Sequence, residues 1–251
     1  MTSTMLEKAR KPTYVSGSLS RWLDGGVVRN ERGEVFVREI SLREALGAHD
    51  GEGFVDEALE TLGILAAEAQ AREPGMWLDI ETTGWPGRPV FMVGMLCAHR
   101  NDIAVKQIFA RDYSQESALI HEAKRLVMES GLVLTFNGAC FDLPFLRDRA
   151  AYHRLAWPAV SGHVDLLPLA RRRWRGTLPD CRLKTLEAHV SGRPRVGDIS
   201  SSEIPMRYHD YVHTRDAAII APVFRHNLLD MVALAQVSSA LVKGGGYEPI
   251  A

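Results

Sequence analysis

The sequence predicts an α/β fold, a mixed β-sheet flanked by helices, with a small N-terminal β-hairpin and lead-in helix as an extension. Three observations predict it. Residues 76–81, MWLDIE, alternate in the two-residue period of a strand. Two further β-rich runs, a helical repeat and another strand follow, and this β-β-β-α-β order requires a mixed sheet with helices on its faces. The C-terminal third reads as successive helices, the last of them long and apolar. With 251 residues, 46% apolar and 24% charged, the chain has ordinary globular composition and ample material for a core.

Taken in order, GGVVRNERGEVFVREI predicts a hairpin, because Asn30 to Gly33 supply turn residues between two β-rich runs. From Gly53 to Arg72 the apolar residues Ala58, Leu59, Leu62, Leu65, Ala66 and Ala69 recur at helical spacing, and Pro74 and Gly75 end that helix just before the strand at 76. Trp85, Pro86 and Gly87 form a turn after it, and PVFMVGMLCA and IAVKQIFA complete a three-stranded meander. A helix over about 114–130 buries Leu119, Ile120, Ala123, Leu126 and Val127, and LVLTF is the next strand. HVDLLPLARRRWRG begins as a short strand or helix start, Leu183, Leu186 and Val190 mark another helix with Arg182 and Lys184 on its outer side, and MRYHDYVHTRD resumes a helical pattern. Residues 1–72 are expected to be an accessory segment, 73–243 the main domain and 244–251 a flexible tail. The longest apolar stretch, PVFMVGMLCA, is too short to span a bilayer, and no N-terminal apolar run is present. A soluble, cytoplasmic protein without membrane contact is expected. Cys97, Cys140 and Cys181 are odd in number and far apart, and are expected to be free thiols.

The chemistry centres on the strand at 76. Met76, Leu78 and Ile80 point one way, and Trp77, Asp79 and Glu81 the other. Two anions on one face of a buried strand cost several kcal/mol unless cations or donors meet them, and a divalent metal would do so. With 31 acids in the chain, an acid-x-acid pair proves little alone, and a strand end facing water would produce the same pattern. Charge distribution adds context. Residues 50–81 hold nine acids against Arg72 alone, whereas 143–195 hold eleven basic residues against four acids, including the run Arg171, Arg172, Arg173, Trp174, Arg175. An acidic centre beside a basic segment suits a metal and a phosphate backbone, although a basic run is also the ordinary composition of a solvated helix end.

Asp142 lies just past the fourth strand and two residues before Pro144, where it fits a helix N-cap, a role compatible with metal ligation. Asn137, Phe141 and Phe145 around it offer an amide and two rings to a base or sugar, or to the core. In RHNLLDMVALAQVSSALVK, positions 226, 230, 233, 234, 237 and 241 share one helix face. His226 and Asp230 therefore continue an apolar stripe, and packing of that face on the odd face of the key strand would bring them to Asp79 and Glu81.

The segments LDIETTG, TFNGACFDLPFL and RHNLLD, in this order, resemble the DEDD exonucleases of the ribonuclease H-like superfamily, in particular its YprB-like branch. HVDLLPLARR and LPDCRLKTLEAHVSG are similar to that branch too, so the resemblance covers residues 76–242. It implies a mixed five-stranded sheet flanked by helices, 3′–5′ exonuclease activity, and two divalent ions, Mg2+ or Mn2+, held by Asp79, Glu81, Asp142 and Asp230. His226 would be the general base. The sequence combines a His with the four-residue spacing that the family pairs with Tyr, and this leaves the place of the imidazole to be determined. Asp165 has no position among the four acids and is expected to play a supporting or structural part. Contacts to DNA or RNA are expected at Thr82, Asn137, Phe141, Phe145, Arg171, Arg172, Arg173, Arg175 and Lys184, with Trp174 a stacking platform or a core anchor. The alternatives are a structure-specific endonuclease of the same fold, or a non-catalytic nucleic-acid-binding module serving a helicase or repair partner. Clustered negative charge is of no use to such a module.

Overall fold

A computed structural model describes residues 19–46, 48–72, 74–99, 101–160, 162–192 and 194–244, with backbone alone at 20–21 and 48–52. The first 18 residues, and all of the tail expected at 244–251 except Gly244, lie outside the described residues. In chain order the elements are α1 (Leu19–Trp22), β1 (Gly25–Asn30), β2 (Gly33–Ser41), α2 (Leu42–Leu46), α3 (Ala48–Glu68), β3 (Gly75–Thr82), β4 (Val90–His99), β5 (Asp102–Phe109), α4 (Glu116–Glu129), β6 (Leu132–Thr135), α5 (Asp142–Tyr152), β7 (His163–Asp165), α6 (Leu166–Trp174), α7 (Leu183–Ser191), α8 (Ile204–Thr214) and α9 (Ala217–Lys243).

The strands form one mixed sheet in the order β1-β2-β5-β4-β3-β6-β7. β3 pairs in parallel with β6, and β6 with β7, while all other neighbours are antiparallel. The five strands from β3 to β7 match the expected count. The hairpin is not a separate appendage, however: β2 lies along β5 in antiparallel register from Phe36 opposite Phe109 to Ser41 opposite Ala104, and the sheet has seven strands. The physical reason is that β5 would otherwise present an open edge, which β2 satisfies while contributing Val35 and Phe36 to the core.

The alternation expected in β3 divides the core. Met76, Leu78 and Ile80 join α4, α8 and the start of α9 on one face, where Phe91 stacks on Tyr208 with ring centroids 4.0 Å apart. Trp77 joins α3, α6 and the later turns of α9 on the other, its indole N–H donating to Ser238 Oγ at 3.2 Å. α9 passes from one apolar cluster to the other: Phe224 belongs to the first and Met231 to the second. By length and hydropathy α9 could cross a membrane, but it is the core helix of this fold, with 61% of its most apolar stretch buried. It also begins earlier than the sequence pattern suggests, running through Pro222.

Candidate active site

The crossing point of α9 between the two clusters is where its polar residues lie. His226 and Asn227 are fully buried there, and Asp230 is largely so. Asp79 on β3 faces Gly94 on β4, which faces Gln107 on β5, which faces Arg38 on β2. Asn227 stands over this row. Its Nδ2 donates to Asp79 Oδ2 at 3.0 Å, its Oδ1 accepts from Gln107 Nε2 at 3.0 Å, and Gln107 Nε2 also donates to the Phe224 carbonyl at 2.7 Å. A side chain on Gly94 would put its Cβ 2.1 Å from Asn227 Oδ1, so glycine is what lets the helix come this close. β3 is irregular at Glu81/Thr82, a bulge that re-aims the end of the strand beside the site.

Asp142 is the first residue of α5, and its side chain does not cap that helix. Instead Oδ1 accepts the backbone N–H of Ile80, at 3.2 Å, between Asp79 and Glu81. Asp165 is the element that fixes the approach. It caps α6 by accepting from Leu167 N at 3.0 Å, and it also accepts from Asn137 N at 2.8 Å and Ala139 N at 3.1 Å. One carboxylate thus pins the loop that leads from β6 into α5 and places Asp142.

Asp79, Glu81, Asp142, Asp230 and His226 come together. Ligating atoms of Glu81, His226 and Asp230 lie within 4.8 Å of one another. Burial first, then the charges of Glu81, Asp230 and Asp142, push Asp79 well above the usual carboxylate range, against the Asn227 hydrogen bond. Burial raises Glu81 to about 8, opposed by His226 and reinforced by Asp230 and Asp142. Asp142 is raised by burial to about 7, against the backbone donors it accepts from. Among the described residues, none of these three acids has a salt bridge.

The other half of the site is compensated. Arg195, in the loop after α7, pairs with Glu187, with Asp198 at 3.2 Å and with Asp230 Oδ1 at 2.6 Å. His226 Nδ1 meets Asp198 Oδ1 at 2.8 Å, and Nε2 meets Asp230 Oδ2 at 3.2 Å. Burial works to lower His226, but Asp198, Asp230 and Glu81 prevail and raise it to about 9. Burial likewise works to raise Asp230, yet His226 and Arg195 hold it below the usual range.

Other expected site residues fall elsewhere. Phe145 is a core residue at 4% exposure, because its position on α5 faces inward, so only Phe141, 5.1 Å from it and partly exposed, and Asn137 remain open to a ligand. The Thr82 hydroxyl is turned to the Gly84 carbonyl at 2.9 Å. Lys184 is exposed on the outer side of α7, as expected, but its Nζ is engaged, lying 3.0 Å from Asp198 and donating to the Ile199 carbonyl at 3.3 Å. Trp174 is a core anchor, 7% exposed and edge-on to His189. Arg171, Arg172, Arg173 and Arg175 are exposed and are not brought to the acids. The Arg173 guanidinium lies against Gly244, past the end of α9, and fourteen residues at about 1.5 Å each put that point about 20 Å along the helix from Asp230.

Sequence reasoning missed Asn227, Gln107, Gly94, Arg195, Asp198 and Glu187. The amide beside His226 on an apolar helix was a signal for Asn227. Arg195 and Asp198 lie in a loop without periodicity, and nothing local marked them. Trp85, 86% exposed in the turn that follows β3, carries no sequence signal beyond that of a turn.

The donor set fits a divalent cation, since the carboxylates of Asp79, Glu81 and Asp142, none in a salt bridge among the described residues, bring hard oxygen ligands together. Comparison with known proteins agrees with the fold. An uncharacterized protein, YprB of Bacillus subtilis (strain 168), is 29% identical over 175 residues, covering 68% of this chain and 42% of that protein. The family B DNA polymerase from the hyperthermophilic archaeon Pyrobaculum calidifontis superposes with a TM-score of 0.54 at 17% identity, over 68% of this chain and 25% of the polymerase. The zinc-bound complex of E. coli ExoI with ssDNA gives a TM-score of 0.40 at 17% identity, over 61% of this chain and 43% of the other. The chain spans about two fifths of the curated relative and a quarter of the polymerase. Residues 76–242, from the key strand to the last turn of α9, match the RNase_H superfamily, and the chain belongs to it.

Proposed function

We propose that this protein is a metal-dependent nuclease that hydrolyses phosphodiester bonds, acting as a 3′–5′ exonuclease on DNA or RNA, with Asp79, Glu81, Asp142 and Asp230 holding two Mg2+ or Mn2+ ions. The observation that carries the reading is the convergence of half-buried Asp79 with buried Glu81 and Asp142, all raised in pKa, with no salt bridge among the described residues. Clustering three carboxylates whose burial and mutual repulsion oppose their ionisation does not serve stability. Divalent ions bound there would supply an activated water and a positive field for charge developing on the phosphate oxygens. The chain's own residues do the positioning. Asn227 and the Ile80 N–H orient Asp79 and Asp142, and Arg195 orients Asp230. The exposed Trp85, Phe141 and Asn137 are candidates to hold the bases next to the scissile bond. The basic run, whose Arg173 guanidinium lies about 20 Å along α9 by its rise of about 1.5 Å per residue, would follow the backbone beyond the scissile bond.

The test is a time course on end-labelled single-stranded and duplex DNA and RNA, with Mg2+ or Mn2+ and with EDTA. Stepwise shortening from the 3′ end, lost in EDTA and in Asp79→Asn, is expected. Internal cutting of a 3′-blocked strand would make it an endonuclease instead, and metal-independent binding without cleavage would make it a binding module.

A further inference from the structure

His226 is one helical turn before Asp230, and the four-residue spacing sets both side chains on one face of α9. The same spacing on a helix is how two side chains chelate a single ion in the H-E-x-x-H metal motif. Here the two are joined by Glu81 from β3, and the three donor atoms lie within 4.8 Å of one another. The surroundings are those of a metal-ligating histidine. Such a ring nearly always donates its other ring N–H to a carboxylate, a backbone carbonyl or water, which fixes its orientation. His226 Nδ1 lies 2.8 and 3.0 Å from the two oxygens of Asp198. Asp198 is in turn held by Lys184 at 3.0 Å and Arg195 at 3.2 Å. Asp230 is divided in the same way: Oδ1 is occupied by Arg195, and Oδ2 is turned to His226 Nε2. The imidazole is 1% exposed, and both its nitrogens are turned to carboxylates rather than to solvent.

We infer that His226 is a metal ligand through Nε2, sharing one divalent cation with Glu81 and Asp230, with Asp198 and Arg195 as the positioning residues behind them. The inference rests on the metal-dependent reading above, and it replaces the general-base role for this histidine. Coordination sends the Nε2 proton to solvent. An imidazole among carboxylates favours Mn2+ over Mg2+, which prefers oxygen donors alone.

The experiment is pulsed electron paramagnetic resonance of Mn2+ bound to the full chain without nucleic acid. Strong nitrogen-14 coupling from a coordinated imidazole is expected, and its loss in His226→Gln. Asp198→Asn, which keeps every ligand, should weaken Mn2+ binding roughly 10- to 100-fold, with Mg2+ binding less affected. Bound Mn2+ without nitrogen coupling in the wild-type protein overturns the inference even if His226→Gln fails to fold, as does failure to bind Mn2+ at all. Nitrogen coupling in a protein that cleaves no nucleic acid would uphold the inference and overturn only the proposed activity, whereas cleavage by a protein with uncoupled Mn2+ would do the reverse.

Discussion

Asn227 donates to Asp79 Oδ2 at 3.0 Å from a position that exists only because residue 94 has no side chain. The contact joins the longest helix to the central strand. It predicts that Gly94→Ala destabilises the protein by about 1–3 kcal/mol, since the new methyl must displace the Asn227 amide. Asn227→Ala in the same chain should recover most of that loss. Chemical denaturation of the two single variants and the double variant measures the coupling, and strictly additive effects would show that helix and strand accommodate the methyl elsewhere.

The metal-free protein should lose stability as pH rises from about 4.5 to about 9. Glu81 ordinarily titrates at 4.5 and here at about 8, Asp142 at 3.8 and here at about 7, and His226 at 6.5 and here at about 9. In each case the folded state holds its proton more tightly than the unfolded state. The stability is therefore complete below the unfolded value and lost through the folded one. Asp230 and Asp198 are lowered, so their contribution disappears only in acid, below this window. Melting temperatures in EDTA should fall from pH 5 to pH 9, and a rise across that range would contradict the assignment.

Glu116 is buried and accepts from Val90 N at 2.8 Å, from Arg149 Nε at 2.7 Å and from His153 Nε2 at 2.9 Å, while Arg149 also donates to the Gly87 carbonyl at 3.0 Å. This cluster ties α4 and α5 to the turn that follows β3. Arg149→Met leaves Glu116 without its main cation and should cost about 3–5 kcal/mol. Arg149→Met with Glu116→Gln should be milder than the single change, and urea titration of both decides it.

The basic run predicts a separation of binding from turnover. Changing Arg171 and Arg175 to Ala should reduce the salt dependence of binding to a long single strand by about 0.7 in log–log slope for each phosphate that is no longer neutralised. Turnover of an oligonucleotide too short to reach them should not change. An unaltered slope would mark the run as a solvated helix end.

Trp174 behaves differently from its neighbours because it is buried. Trp174→Ala should destabilise the fold by about 3–5 kcal/mol, with binding by the folded fraction unchanged. A selective loss of nucleic-acid affinity at constant stability would restore the stacking role.

The alternation in MWLDIE and the helical stripe from 226 to 241 were enough to place Asp79, Glu81, His226 and Asp230 on faces that must meet, because side-chain period is a local property of strand and helix. The succession of strands and helices from β3 to β6, with its three-stranded meander, was legible for the same reason. What local pattern does not encode is which free edge a hairpin will join, and only the packed structure puts β2 on β5. Nor does it encode partners brought in by a loop. Arg195 and Asp198 reach Asp230 and His226 across 35 and 28 positions of sequence from a segment without period, and their guanidinium and carboxylate decide how the histidine is oriented. Asp142 carried a plausible local role as a helix cap, and the tertiary fold gave it another by aiming its oxygen at the Ile80 N–H. Periodicity determines which side of an element a residue takes. Register, close approach at Gly94 and long-range charge pairing are set by the whole chain closing on itself, and they determine what that side chain meets.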